Sequence, residues 1–246
     1  MAGNTEIVYG MHAVRHALQH SPVYVLELWI QNDRQSEQAI RDIMQLAGTT
    51  PVQYVSKQAM NKLTHYARHQ GVVIRKKQTR SANIDLTSLL TSEDETIPLY
   101  LVLDGVQDPH NLGACIRTAD AAGVKAVIIP KDRAAGLNAT VSNVASGAAE
   151  NIPVIEVTNL ARSLRALQDA GIWIIGTVND AGASIYEVDL NRPLALVMGA
   201  EDKGLRQNTR DHCDTLVNIP MAGVVESLNV SVATGICLFE AIRQRR

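Results

Sequence analysis

The chain has 246 residues, 46% of them hydrophobic, with a formal net charge of −2 and a sequence pI near 6.4. The apolar fraction suffices for one large or two small packed cores and excludes a disordered or fibrous chain, and the slight negative charge argues against indiscriminate nucleic-acid binding. There is no N-terminal basic-plus-apolar signal and no run of the ~20 apolar residues that a membrane span requires, so a soluble cytoplasmic protein without a membrane partner is expected, with Cys115, Cys213 and Cys237 as reduced thiols.

Residues 1–75 alternate strand and helix on a short period: strand 7–9, helix 11–20, strand 23–30, helix 36–47, strand 52–55, helix 57–68 and strand 72–74. Ser56 is a natural N-cap for the third helix. Between Ile43 and Ile84 there is no Asp or Glu, yet Lys57, Lys62, Arg68, Arg75, Lys76, Lys77 and Arg80 fall inside that span. Such a local field suits phosphate contacts. His12, His16 and His20 recur every four residues, as do His65 and His69. With no Cys, Asp or Glu ligands evident nearby, they read as a solvated or RNA-facing stripe and no metal is expected. Residues 76–97 are polar around the small apolar island Leu86, Leu89 and Leu90, the composition of a linker.

From residue 98 the pattern changes to uninterrupted apolar strands at 99–103, 124–129, 154–157, 172–178, 194–198 and 215–219, with helices starting near Asn111, Ala139, Leu160 and Arg206. That pattern predicts an α/β domain with a parallel sheet covered on both faces, and a ligand crevice beyond the carboxyl ends of its strands. The Gly-x-Gly-x-x-Gly fingerprint is missing after the first of these strands, so an ordinary dinucleotide fold is not supported. Glycines arrive late, at Gly199 and Gly204. In the last helix Val230, Ala233, Ile236, Cys237 and Leu238 form an apolar face, while a polar first turn carries Ser227, Asn229 and Ser231. A helix start of this kind offers converging hydrogen-bond donors, although on its own Ser227 or Asn229 is simply an N-cap.

Three stretches stand in a fixed order: Asn111 with Arg117 six residues on; Gly199-Ala200-Glu201 with Gly204; and Ile219-Pro220-Met221 followed by Ser227-Leu228-Asn229-Val230-Ser231. Together they closely resemble the motifs of the SpoU (TrmH-type) branch of the SPOUT methyltransferases, and within it the bacterial large-subunit rRNA guanosine 2′-O-methyltransferases. The resemblance runs from Ile7-Val8-Tyr9-Gly10 to the C-terminus and is densest after Leu99. It implies a small N-terminal ribosomal-protein-like α/β RNA-binding domain over 1–75, a linker over 76–97, and a C-terminal SPOUT α/β domain over 98–246 with a parallel sheet and a deep trefoil knot. Chain-connection rules alone predict no knot. It further implies S-adenosylmethionine as methyl donor, no metal, and a guanosine of 23S rRNA in the peptidyl-transferase-centre region as substrate. A homodimer is implied too, with Ile116, Leu238 and Ile242 as candidate exposed apolar contacts.

Methylating a ribose 2′-hydroxyl is an in-line displacement by a poor nucleophile, so the site must orient and deprotonate the alcohol. Gly199, Ile219 and Leu228 match family positions whose main chain lines the donor slot, and Met221 stands beside them. Arg117 matches the arginine that activates the hydroxyl or holds the neighbouring phosphate; a guanidinium pKa above ~12 makes positioning or hydrogen bonding as good a reading as general-base action. By the same resemblance Asn111 and Glu201 orient the arginine, the ribose or the donor, and Ser227 and Asn229 complete the polar wall. His110 reads equally well as a structural loop residue, and Glu226 lies outside the motif. Two other functions fit less well: the same chemistry on tRNA, and a noncatalytic RNA-binding or ribosome-assembly protein.

Overall fold

The computed structural model describes residues 5–77, 85–91, 96–201 and 203–246. They fall into two compact units, Met1–Ala82 with Asn138–Gly147, and Asn83–Leu137 with Ala148–Arg246.

The first unit runs β1 (Thr5–Tyr9), α1 (Met11–His20), β2 (Val25–Gln31), α2 (Gln38–Ala47), β3 (Val52–Val55), α3 (Lys57–Leu63) and β4 (Val72–Lys77). The sheet order is β1-β4-β2-β3, antiparallel on both sides of β4 and parallel between β2 and β3. Val14, Leu28, Ile30, Ile40, Ile43 and Ile74 fill its core without exposure. The strand expected from residue 23 starts at Val25 because Pro22–Tyr24 forms a short 3-10 turn. Ser56 caps α3 as expected, accepting from the Ala59 N–H at 3.2 Å. The helix expected over 57–68 stops at Leu63, since His65 (φ 50°) and Tyr66 (φ 64°) adopt the left-handed region that ends an α-helix.

Two expectations about charge are corrected here. Lys76 is only 1% exposed and pairs with Glu6, its cross-strand neighbour, while Arg75 binds Glu27 and lies 5.8 Å over the Trp29 ring. These two cations serve the sheet and not phosphate. His69 is likewise buried and hydrogen-bonded rather than solvated, whereas His12 and His65 are exposed. Arg80 and the His20 side chain lie outside the described residues.

The second unit begins with α4 (Leu86–Leu90), capped by Asp85. This helix stands inside the segment expected to be a linker, and Leu89 packs into the unit's core. Then follow β5 (Leu99–Asp104), α5 (Pro109–Ala121), β6 (Ala126–Pro130), α6 (Ala139–Ala145, grouped with the first unit), α7 (Ala148–Asn151), β7 (Val154–Val157), α8 (Leu160–Asp169), β8 (Trp173–Thr177), β9 (Ala183–Ser184), β10 (Leu194–Gly199), α9 (Gln207–Arg210), β11 (Thr215–Asn218) and α10 (Val230–Gln244). The sheet order is β7-β6-β5-β10-β8-β11-β9 and every pairing is parallel, as the continuous apolar runs predict. β9, two residues at the edge, is too short to leave a hydropathy signal.

Helix α10 packs on α5 and β10, burying Val230, Thr234, Cys237, Leu238 and Ala241, while Ile236 is half-buried. Ile116 and Leu238, expected as exposed contacts, are fully buried within the chain because they face this packing; on α10 it is Val232 and Phe239 that stand half exposed. Burial pushes the Cys115 thiol up to about 11 and those of Cys213 and Cys237 up to about 12, so all three stay protonated near neutrality. Among the described residues no helix is long and apolar enough to cross a membrane.

Candidate active site

Where β8, β10 and β11 end, their following loops enclose a cavity of about 310 Å³. Gly199, Ile219, Met221 and Leu228, the four residues expected to hold the donor, all line it, together with Glu201 and Ser227. Sequence dictates the shape at Gly199: a Cβ there would lie 2.2 Å from the Gly204 carbonyl carbon, so only glycine lets the chain fold back on itself. The Gly204 N–H closes the turn on the Ala200 carbonyl at 2.8 Å, with Gly204 at φ 60°.

Behind this turn Asp104 ends the apolar strand β5 with a fully buried carboxylate. It accepts from Arg206 Nε at 2.8 Å and from the Arg206 backbone N–H at 3.0 Å, which fixes the exit of the turn. A buried carboxylate is tolerated only with such pairing. Sequence reading missed Asp104; its one signal is an acid terminating a run of apolar residues.

Three expected residues from distant parts of the chain meet at one edge of the cavity. Asn111, in the first turn of α5, donates its Nδ2 to both carboxylate oxygens of Glu201, at 3.0 and 3.1 Å. Asn229 Nδ2 donates to Asn111 Oδ1 at 3.0 Å and also to Glu201 Oε1. The Val230 N–H adds a donor to Glu201 Oε1 at 3.2 Å, so the carboxylate sits on the open start of α10. Asn229 is at the same time the N-cap: its Oδ1 accepts from the Ser231 N–H at 3.0 Å and from Ser231 Oγ at 2.6 Å. The bland and the functional readings of Asn229 therefore hold together.

Arg117 is placed differently. It is exposed on α5, six residues and so roughly 9 Å of helix rise beyond Asn111, and it does not line the cavity. The His110 backbone N–H is held by Asp108 Oδ1 at 3.0 Å in the helix cap. Sequence reading also missed the strip Thr177, Val178, Asn179 and Asp180 after β8, which lines the cavity, and Arg210 opposite it. Arg210 binds Asp180 at 2.9 Å, and that guanidinium holds the Asp180 carboxyl below the usual carboxylate range. The Asn179 side chain reaches the Glu226 carbonyl at 2.9 Å and so tethers the approach to Ser227. The carboxyl-end rule for parallel sheets was the available signal for this strip.

The family model of the SpoU rRNA Methylase family matches residues 98–239, and that for RNA 2′-O ribose methyltransferase substrate binding matches residues 7–81. The chain belongs to the SpoU rRNA methylase family. It is 53% identical over 243 residues to the 23S rRNA (guanosine-2′-O-)-methyltransferase RlmB of Shewanella oneidensis, covering 98% of each chain. Identity is also 53%, over 245 residues, to RlmB of Pectobacterium atrosepticum, covering 98% of this chain and 99% of that one. The crystal structure of the SpoU methyltransferase AviRb from Streptomyces viridochromogenes in complex with the cofactor AdoMet matches with a TM-score of 0.77 at 26% identity, over 98% of this chain and 90% of that chain.

In this SpoU methylase the cavity suits such a methyl donor on its own chemistry. Its volume falls in the range of small-molecule sites, its walls at Met198, Ile219, Leu228 and Val230 are apolar, and the Gly199 turn exposes main chain where an adenosine edge needs hydrogen bonds. Among the described residues no cluster of three His, Cys, Asp or Glu side chains could hold a metal ion.

Proposed function

We propose that this SpoU methylase transfers a methyl group from S-adenosylmethionine to the ribose 2′-hydroxyl of a guanosine in 23S rRNA. The observation that carries the reading is the Asn111–Glu201–Asn229 network at the edge of the Gly199 cavity, in a chain alike over its whole length to 23S rRNA guanosine-2′-O-methyltransferases. The bound donor supplies an electrophilic methyl on a sulfonium. Main chain at Gly199, Ile219 and Leu228, with the Met221 side chain, holds it. Glu201 stays ionised as the shared acceptor of three N–H donors, which locks both carboxamides and leaves Ser227 and the α10 start facing the ribose. Arg117, permanently protonated, donates to the phosphate beside the reacting ribose, and the methyl forms a C–O bond as its S–C bond breaks, with one proton released.

Residues 1–75 grip the RNA, 76–97 connect, and 98–246 catalyse. The insertion of β10 between β5 and β8 supports a knotted path, because a late strand enters between two laid down earlier. Val232 (51% exposed) and Phe239 (49%), seven residues apart on one face of α10, support a homodimer. The reaction takes place in the cytoplasm, with the rRNA.

Labelled S-adenosylmethionine is incubated with unmodified 23S rRNA, 16S rRNA and tRNA, followed by nucleoside mass spectrometry. Label recovered as 2′-O-methylguanosine from 23S rRNA alone is expected, and mapping then tests the peptidyl-transferase-centre position. Label in tRNA discards the rRNA specificity; RNA binding with no transfer to any RNA supports the noncatalytic protein instead.

A further inference from the structure

The first unit holds a cavity of about 470 Å³ whose lining includes Lys57, Asn61, Tyr66, Arg68 and His69. One wall is the loop over 64–71, between α3 and β4. Three of the five non-glycine residues with positive φ among the described residues lie in it: His65 (50°), Tyr66 (64°) and Gln70 (53°). Bulky residues persist in that conformation only where their surroundings hold them.

The surroundings here do. Thr64 Oγ1 donates to the Met60 carbonyl at 3.0 Å, and the Tyr66 N–H reaches the Asn61 carbonyl at 2.7 Å. Arg34 Nη1 holds the Gln70 carbonyl at 2.6 Å. His69 Nδ1 accepts from the Gly71 N–H at 3.1 Å, which leaves Nε2 to donate to Asn61 Oδ1 at 2.9 Å. Burial together with the nearby Lys57 and Arg34 cations holds the His69 pKa below its ordinary value, so this brace is a neutral imidazole.

What the braced loop presents is an aromatic ring: Tyr66 is 76% exposed, and Lys57 and Arg68 beside the same cavity are exposed too. The neighbouring acids are occupied, Glu37 by Arg34 at 2.6 Å and Asp33 by Gln31 at 2.7 Å. An open ring face flanked by cations is what an unpaired nucleotide requires, whereas a base inside a duplex cannot offer its face to a side chain. We propose that this cavity is a cradle for one unpaired RNA nucleotide, with its base stacked on Tyr66 and the adjoining phosphates taken by Lys57 and Arg68. The choice of RNA rests on the methylation reading; the ring and the cations do not.

The test is fluorescence anisotropy of a labelled single-stranded RNA oligonucleotide, and of the same sequence as a duplex, on the full-length protein. Single strand is expected to bind more tightly than duplex. Tyr66→Asn, which keeps positive φ readily, should weaken single-strand binding about tenfold, whereas Tyr66→Phe should retain it. Lys57→Gln with Arg68→Gln should flatten the salt dependence, lowering the log–log slope by about one. With 23S rRNA as substrate, Tyr66→Asn should raise KM and leave kcat unchanged. Wild-type affinity in Tyr66→Asn, equal affinity for duplex, or tight binding of free guanosine monophosphate with no preference for RNA would each overturn the cradle. Tyr66-dependent binding without methyl transfer would sink the proposed reaction alone; methyl transfer with a silent Tyr66→Asn would sink the cradle alone.

Discussion

The loop at 199–205 in the second unit and the loop at 64–71 in the first both leave the ordinary backbone regions, by opposite means. At 199–205 the conformation is reached by removing side chains: Gly199 has no room for a Cβ and Gly204 takes φ 60°. At 64–71 it is reached with side chains in place, His65, Tyr66 and Gln70 being held in the left-handed region by hydrogen bonds from Thr64, His69 and Arg34. A bare turn lets a small donor slide against main chain, while a strained turn with side chains holds an aromatic ring out to a large partner. The sheets fit this division. An all-parallel sheet collects the ends of β8, β10 and β11 at one edge, where Asn111, Glu201 and Asn229 from separate segments can converge. The small mixed sheet of the first unit serves as a mount for one loop.

The comparison breaks most sharply at Gly199. Gly199→Ala places a methyl group where the Gly204 carbonyl carbon stands, and calorimetry should find S-adenosylmethionine affinity reduced at least about a hundredfold with single-stranded RNA binding intact. Loss of both together would mean that the units are not independent in function. Next comes Arg117, which belongs to the second unit yet faces away from the donor cavity. Arg117→Ala should slow methyl transfer by roughly 10²–10³, and His110→Ala by no more than a few-fold; the reverse order would move the catalytic assignment to His110.

The smallest effect concerns the second unit's stability alone. Hydrogen bonds from Arg243 and Gln244 lower the Glu240 pKa from 4.5 to about 2. A lowered carboxylate pKa stabilises the fold above the unfolded value, and this contribution fades as pH falls through the folded one. Wild type should therefore melt a few degrees above Glu240→Gln at neutral pH, and the gap should close between about pH 4.5 and pH 2. A gap independent of pH would assign the difference to packing.

Sequence revealed these regions unequally, for physical reasons. The strands at 99–103 and 194–198 were legible because a parallel strand buried on both faces must be apolar throughout. The four donor-slot residues and the Asn111–Glu201–Asn229 cluster were legible only through the motif resemblance. Their partners are 90 and 118 residues apart, and nothing in local spacing brings them together. The end of α3 was hidden, because neither His65 nor Tyr66 advertises positive φ. Lys76 looked like a phosphate contact because the pairing that buries it, with Glu6 across β1 and β4, is set by sheet register and not by neighbours in sequence. Ile116 and Leu238 looked exposed for the same reason: the packing of α5 on α10 that covers them is non-local.

The most direct test of the division between a reacting unit and a gripping unit is a single-turnover measurement of methyl transfer at saturating 23S rRNA and S-adenosylmethionine, on Glu201→Gln and Tyr66→Asn side by side. Glu201→Gln removes the charge shared by Asn111, Asn229 and the Val230 N–H, and its rate should fall about a hundredfold, given about 1.5–3 kcal/mol for a hydrogen bond to a charged group. Tyr66→Asn should turn over at the wild-type rate. A slow Tyr66→Asn beside a wild-type Glu201→Gln would contradict the account, because chemistry would then depend on the gripping loop and not on the carboxylate network.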